Sequence, residues 1–435
     1  MNTKLIYLVG LLLLMLVSCT PKGDQTDFSI DFEKYTMANG LDVILHTDAS
    51  DPIVSVAIQY HVGSNREKPG RTGFAHLFEH MMFQQSENVG QDQFFKKIQA
   101  AGGTLNGGTN SDGTVYYEIV PKNALEMALW LESDRMGYLI NTVTQSAFAN
   151  QQNVVQNEKR QGVDNRPYGH NSWVLDKNLY PEGHPYSWQV IGEMEDLFNA
   201  TVEDVKEFHA TFYRPNNATL VVAGDIDAKE ARQLVEKYFG EIPGGAPMQD
   251  MDPMLISLDA TKKLYHEDNF ATTPMLTMAW PTVEQYSKDA YALNFLAELL
   301  SSGKKAPMYR VLVKDKKLTS RVSAYNRSRE LAGSFRITIN ANAGVSLAEV
   351  EDAIFESMEL FEEEGFTEKD MDRIKAGLET QFYNGISSIL GKGFQMARYN
   401  EYAGSPSFIE QDIANIQAVT MEEVTRVYET YIKDK

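Results

Sequence analysis

This sequence predicts an α+β fold of two duplicated domains, each a mostly antiparallel sheet with helices packed on one face, on three observations. Strand-like and helix-like stretches are interleaved along the 435 residues. The strand-like ones alternate apolar and polar side chains rather than running wholly apolar, as expected of a sheet covered mainly on one side. The same order of elements then occurs twice, and 43% hydrophobic and 11% aromatic residues supply more than one full-sized core.

Taken in chain order, the first element is a leader. Leu5 to Val17 is a thirteen-residue apolar run behind Lys4, too short to cross a bilayer comfortably and of the length of a secretory h-region. Leu16-Val17-Ser18-Cys19 resembles the bacterial lipobox, in which the small residue before the cut lets Cys19 become the lipid-bearing terminus. The expectation is a lipoprotein signal peptide over 1–19, a polar tether over 20–28, and a protein lipid-anchored in the cell envelope, periplasmic or outer-membrane. Cys19 is the chain's one cysteine, so no disulfide or cysteine metal cluster is available to the remainder.

The first domain is expected over 29–240. Ile53 to Tyr60 alternates as a strand, Gly73 to Gln84 carries a helical apolar pattern, and Thr114 to Val120 reads as a later strand. A second domain over 256–435 repeats the plan, with Pro274 to Trp280, Ala290 to Leu300 and Ser334 to Ile339 in the matching places. Thr201-Val-Glu-Asp-Val205 followed by Phe208 and Phe212 is echoed by Thr420-Met-Glu-Glu-Val424 followed by Val427 and Tyr431, at the same spacing. A period of about two hundred residues is a duplication, far longer than solenoid repeats. Between the copies, 241–255 has the glycines and prolines of a linker. After Phe212 the first copy continues into a strand and turn, Asn216 to Asp225, for which the second copy shows no counterpart before Lys435.

Charge narrows the class of partner. Forty Lys and Arg against sixty Asp and Glu leave a net charge of −20, with no basic block, which argues against nucleic acid. Glu362-Glu363-Glu364 reads as solvated helix surface.

The chemistry gathers in His76-Leu77-Phe78-Glu79-His80. Residues i and i+4 share a helix face, so both imidazoles can reach one ion while Glu79 points to the same side. This H-x-x-E-H order inverts the commoner H-E-x-x-H zinc motif. The apolar neighbours Phe74, Leu77, Phe78, Met81, Met82 and Phe83 imply a buried helix, where three ionisable groups together cost several kcal/mol unless a metal or partners compensate. A third ligand must come from elsewhere, and Glu158 in the helical stretch Asn150 to Arg160 is the best candidate. His46, His61, His170, His184, His209 and His266 lack a partner at ligand spacing and read as surface or hydrogen-bonded structural residues.

This helix, followed by a glutamate 75 to 80 residues on, resembles the insulinase/pitrilysin family of inverted-motif zinc peptidases, in its short-chain, processing-peptidase-like branch. Ala101 to Asn106, Asp112 to Glu118, Asp164 to Gly169 and Tyr180 to Tyr186 are similar to that family's other signatures. The resemblance implies Zn2+ held by His76, His80 and Glu158, Glu79 as general base, and peptide hydrolysis. It implies further that a peptide substrate lies along Gly103, Thr104, Leu105 and Asn106 as an added strand. Family members carry a supporting carboxylate seven residues before the ligand glutamate, where this chain has Gln151, an amide able to hydrogen-bond a ligand but not to supply charge. Aligned on the family's Arg and Tyr that steady the oxyanion, Val313 and Ser320 occupy those positions. The implied partner is therefore a homologous chain supplying Arg and Tyr in a heterodimer. The alternative is a non-catalytic assembly subunit of the same fold, since the family contains such members.

Overall fold

The computed structural model describes residues 29–435; the leader, the tether and Cys19 lie outside them. Six strands form the first sheet: β1 (Glu33–Thr36), β2 (Asp42–Thr47), β3 (Ile53–Tyr60), β4 (Thr104–Thr109), β5 (Thr114–Pro121) and β6 (Ala218–Gly224). Their spatial order is β1-β2-β6-β3-β5-β4, antiparallel throughout except for the parallel β2–β6 pair. The second sheet is β7 (Met275–Thr282), β8 (Ser323–Ser328) and β9 (Gly333–Asn340) in the order β7-β9-β8, both pairs antiparallel. β3 and β7, β4–β5 and β8–β9 correspond, so three strands of each half repeat, while β1, β2 and β6 have no counterpart among the described residues. Among the described residues β7 has a neighbour on one side only, whereas its counterpart β3 lies between β5 and β6. No helix or strand occurs over 242–274.

The helices that matter for the site are α1 (Phe74–Met81), α2 (Gln93–Ala100), α3 (Leu125–Tyr138), α4 (Gln145–Lys159), α5 (Asn171–Leu179) and α6 (Val202–Phe212) in the first half. In the second half they are α7 (Lys288–Ser301), α8 (Ile389–Tyr402) and α9 (Met421–Tyr431). α6 and α9 begin with the same device: Thr201 and Thr420 each form a capping box with the third helical residue, Asp204 and Glu423. The repeated Thr-x-x-acid spacing thus satisfies the first backbone donors of both helices.

Each half has its own core, one built on α1, α3 and α6 against the first sheet and one on α7 and α9 against the second. The opposite face of each sheet is covered by a helix from the other half. β6 is buried along its whole length because Leu220 and Val222 enter the first core while Val221 and Ala223 pack on Met396, Ala397 and Tyr399 of α8. Reciprocally, α5 packs on β7, and its Asp176 forms a buried ion pair with Arg336 of β9 at 2.6 Å.

Polar groups also fasten the halves. Tyr186 donates to Asp112 and accepts from the Leu331 amide, and the Arg329 guanidinium stacks 3.5 Å from the Tyr186 ring centroid while bonding Tyr180 and Ser111. His61, at the end of β3, is gripped by Glu330 at 2.7 Å and Glu401 at 2.6 Å. Burial alone would lower its pKa, but the two carboxylates raise it to about 10. Asp112, Tyr180 and Tyr186 therefore serve the joint between halves.

Candidate metal centre

α1 is entered through Gly73, which sits at φ 84°. A Cβ there would meet the Ile191 carbonyl oxygen at 2.8 Å, so the turn demands glycine on both counts. The buried Glu67 carboxylate accepts from the Gly73 and Ala75 amides at 3.0 and 2.8 Å, satisfying donors that the helix start leaves open. Leu77, Phe78 and Met81 then fix the helix in the first core, leaving His76, Glu79 and His80 along its half-buried side.

α4 lies against α1 and starts at Thr144, whose hydroxyl accepts from the Ala147 amide. It delivers Glu158 opposite the two imidazoles: Glu158 Oε2 stands 3.3 Å from His80 Nε2 and 3.6 Å from His76 Nε2. The three ligand atoms lie within 4.8 Å of one another. Ligands about 2.0–2.1 Å from a tetrahedral ion are separated by about 3.4 Å, so the donor set fits Zn2+ in size and type. Burial, with a smaller contribution from His80, lowers the His76 pKa to about 4, which keeps its lone pair free of a proton at neutral pH.

Glu79 stands beside this triad, close enough to His80 and Glu158 to feel their charge, and reaches the end of β4. Its Oε2 accepts a 2.6 Å hydrogen bond from the Thr109 hydroxyl. Burial pushes its pKa above the usual carboxylate value, partly offset by that hydrogen bond and by His80. Thr109 escaped the sequence reading because a threonine thirty residues from its partner has no pattern to announce it. Only its place at the end of the Gly103 to Asn106 stretch hints at a role.

The remaining site residues are distributed as follows. Gln151 is buried two turns before Glu158 on α4, and among the described residues its amide makes no hydrogen bond to a ligand. Gly103 precedes β4, and Thr104, Leu105 and Asn106 lie on it, at the edge of the first sheet. Two of the nearby glycines are explained by the chain itself: a Cβ on Gly103 would strike the Ile119 carbonyl at 2.8 Å, and one on Gly107 the Phe83 and Tyr116 rings at 3.1 Å. Gly108 has open space around it. His184 is a structural histidine, receiving the Tyr186 amide and bonding the Met254 carbonyl. Arg310, three residues before Val313, is paired with Glu364.

Two imidazoles from one helix, a carboxylate from a second and a further glutamate beside them, held by Thr109, form the donor arrangement of hydrolytic metal sites. Comparison with known proteins gives the family. Residues 42–180 match insulinase (peptidase family M16), and 199–378 match the peptidase M16 inactive domain. The chain belongs to peptidase family M16. It is similar to the zinc protease PqqE of Helicobacter pylori, 26% identical over 440 residues, with 98% of this chain and 96% of the relative covered. It is also similar to a probable mitochondrial-processing peptidase subunit beta of Schizosaccharomyces pombe, 23% identical, with 93% and 89% covered. Among solved structures, a protease from Helicobacter pylori matches with a TM-score of 0.83 at 26% identity, covering 94% of this chain and 98% of that one. The peptidase M16 inactive domain from Pseudomonas fluorescens matches in fold, with a TM-score of 0.79 at 18% identity, covering 93% and 95%.

Proposed function

We propose that this chain is the catalytic, zinc-dependent subunit of an endopeptidase that cleaves short or unfolded peptides. The observation that carries the reading is the convergence of His76, His80 and Glu158 beside Glu79, which supports a working metal site. A zinc ion held by these three residues would lower the pKa of water to about 7 and polarise a carbonyl. Glu79, held by Thr109, accepts the proton of the attacking water and passes it to the leaving amine nitrogen. The edge strand β4 offers its unpaired backbone to an extended peptide, with Gly103, Thr104, Leu105 and Asn106 alongside it. Gln151, buried on the Glu158 helix, remains a supporting residue in this reading.

Three further expectations belong to the same reading. Domain limits of 29–240 and 256–435, joined by a linker at 241–255, follow the duplicated plan. The leader directs the chain to the cell envelope, with Cys19 lipidated; among the described residues no helix is long and apolar enough to cross a membrane. A homologous chain supplies the Arg and Tyr that Val313 and Ser320 do not, and the relative from Schizosaccharomyces pombe is itself named a subunit. The deciding experiment measures zinc content and hydrolysis of an unstructured peptide for wild type and Glu79→Gln, each alone and with the candidate partner chain. Zinc retained with hydrolysis lost by several orders of magnitude supports the reading. Near-wild-type hydrolysis by the variant overturns it, and full activity of the isolated chain, unchanged by the partner, overturns the heterodimer.

A further inference from the structure

Two histidines that lie far apart in sequence meet at the joint between the halves. His170 immediately precedes α5, and His266 belongs to the irregular stretch leading to β7. His170 Nδ1 stands 3.2 Å from His266 Nε2, 96 residues away in the chain. The rings are 5.1 Å apart at 88°. On its other side, His170 Nε2 meets Asp164 Oδ1 at 3.2 Å.

We propose that His170 and His266 form a second metal site, distinct from the one on α1, that takes a borderline-soft divalent transition ion, Zn2+ or Cu2+. Two nitrogens 3.2 Å apart, each about 2.0–2.1 Å from a shared ion, subtend about 100° at it, close to a tetrahedral edge. The imidazole-to-carboxylate separations within the His76, His80 and Glu158 set are 3.3 and 3.6 Å, a similar spacing. Asp164 supplies what an isolated histidine pair lacks. With a carboxylate at Nε2 of His170 and Nδ1 facing His266, the contacts match the carboxylate–histidine–metal arrangement, in which Nε2 carries the proton and Nδ1 is the ligand. Imidazole donors select zinc and copper over calcium or magnesium. Asp268, close enough to His266 to interact with it, keeps the surroundings anionic, and its carboxylate is pinned by the Tyr168, Phe270 and Ala271 amides. Both rings are open to solvent in part, so an ion enters directly and water completes its coordination. The bound ion cross-braces the halves, because Asp164 ends the π-turn that continues α4 beyond Glu158 whereas His266 belongs to the second half.

The test counts metal on the purified protein freed of metal and dialysed against Zn2+ near neutral pH. Wild type is expected to bind two equivalents, His266→Asn and His170→Asn one each, and His76→Ala/His80→Ala one. Adding His266→Asn to that double variant should leave none. His266 is exposed on an irregular segment, so His266→Asn keeps its far-ultraviolet circular dichroism, and its hydrolysis at stoichiometric zinc stays at the wild-type rate. With Cu2+ in place of zinc, the double variant should show nitrogen hyperfine structure in its electron paramagnetic resonance spectrum, lost on adding His266→Asn. A wild type that binds a single equivalent overturns the proposal. So does a second equivalent that survives both His170→Asn and His266→Asn, which would mark an adventitious ion only.

Discussion

Replacing Thr109 by valine removes the hydroxyl that bonds Glu79 while keeping the shape of the side chain and its place on β4. The Thr109–Glu79 bond is 2.6 Å long and part-buried, and hydrogen bonds to charged groups contribute about 1.5–3 kcal/mol. If Glu79 must be held in one rotamer to take the proton, most of that energy is lost in the transition state. At about 1.4 kcal/mol per tenfold, kcat should fall about 10- to 100-fold. His76, His80 and Glu158 are untouched, so zinc content should stay at the wild-type value, and KM should change little because β4 keeps its backbone. Thr109→Ser, which restores the hydroxyl, should recover most of the rate. The assay is steady-state hydrolysis of a fluorogenic peptide, with metal analysis and thermal melting of the same samples. A Thr109→Val enzyme within twofold of wild type in kcat would refute the reasoning, as would a serine variant no better than the valine one.

Glu158→Gln should bind zinc at least tenfold more weakly and lose hydrolysis with it, since one of three protein ligands loses its charge; normal zinc affinity in equilibrium dialysis would place the third ligand elsewhere. His61 is held protonated by Glu330 and Glu401 with a pKa of about 10, raised from 6.5. Its contribution to stability is therefore complete below about pH 6.5 and lost as pH rises toward 10. His61→Gln should flatten that decline in urea midpoints; an unchanged pH slope would show that the histidine is not the group responsible. Cys19→Ala should release the protein from the membrane fraction or block its maturation, and recovery of the variant in salt-washed membranes would count against lipid anchoring.

What the sequence determined by itself is whatever depends on near neighbours along the chain. His76 and His80 are four residues apart, so any helix there aligns them, and the Thr-x-x-acid spacing at Thr201 and Thr420 forces equivalent helix starts. Alternation in Ile53 to Tyr60 set the strand, and repetition of these local patterns revealed the duplication. Glu158 could be nominated but not placed, because its approach to His80 depends on how α4 packs against α1. The tertiary structure alone decided what covers the outer faces of the sheets. Nothing in Ile389–Tyr402 says that its apolar side will bury Val221 and Ala223 of the opposite half, since hydrophobic patterning specifies that a face is buried and not by what. Thr109 on Glu79 and His266 on His170 have the same origin. Contacts between groups thirty or 96 residues apart are fixed by the path of the backbone between them, and that path is set by two cores closing together.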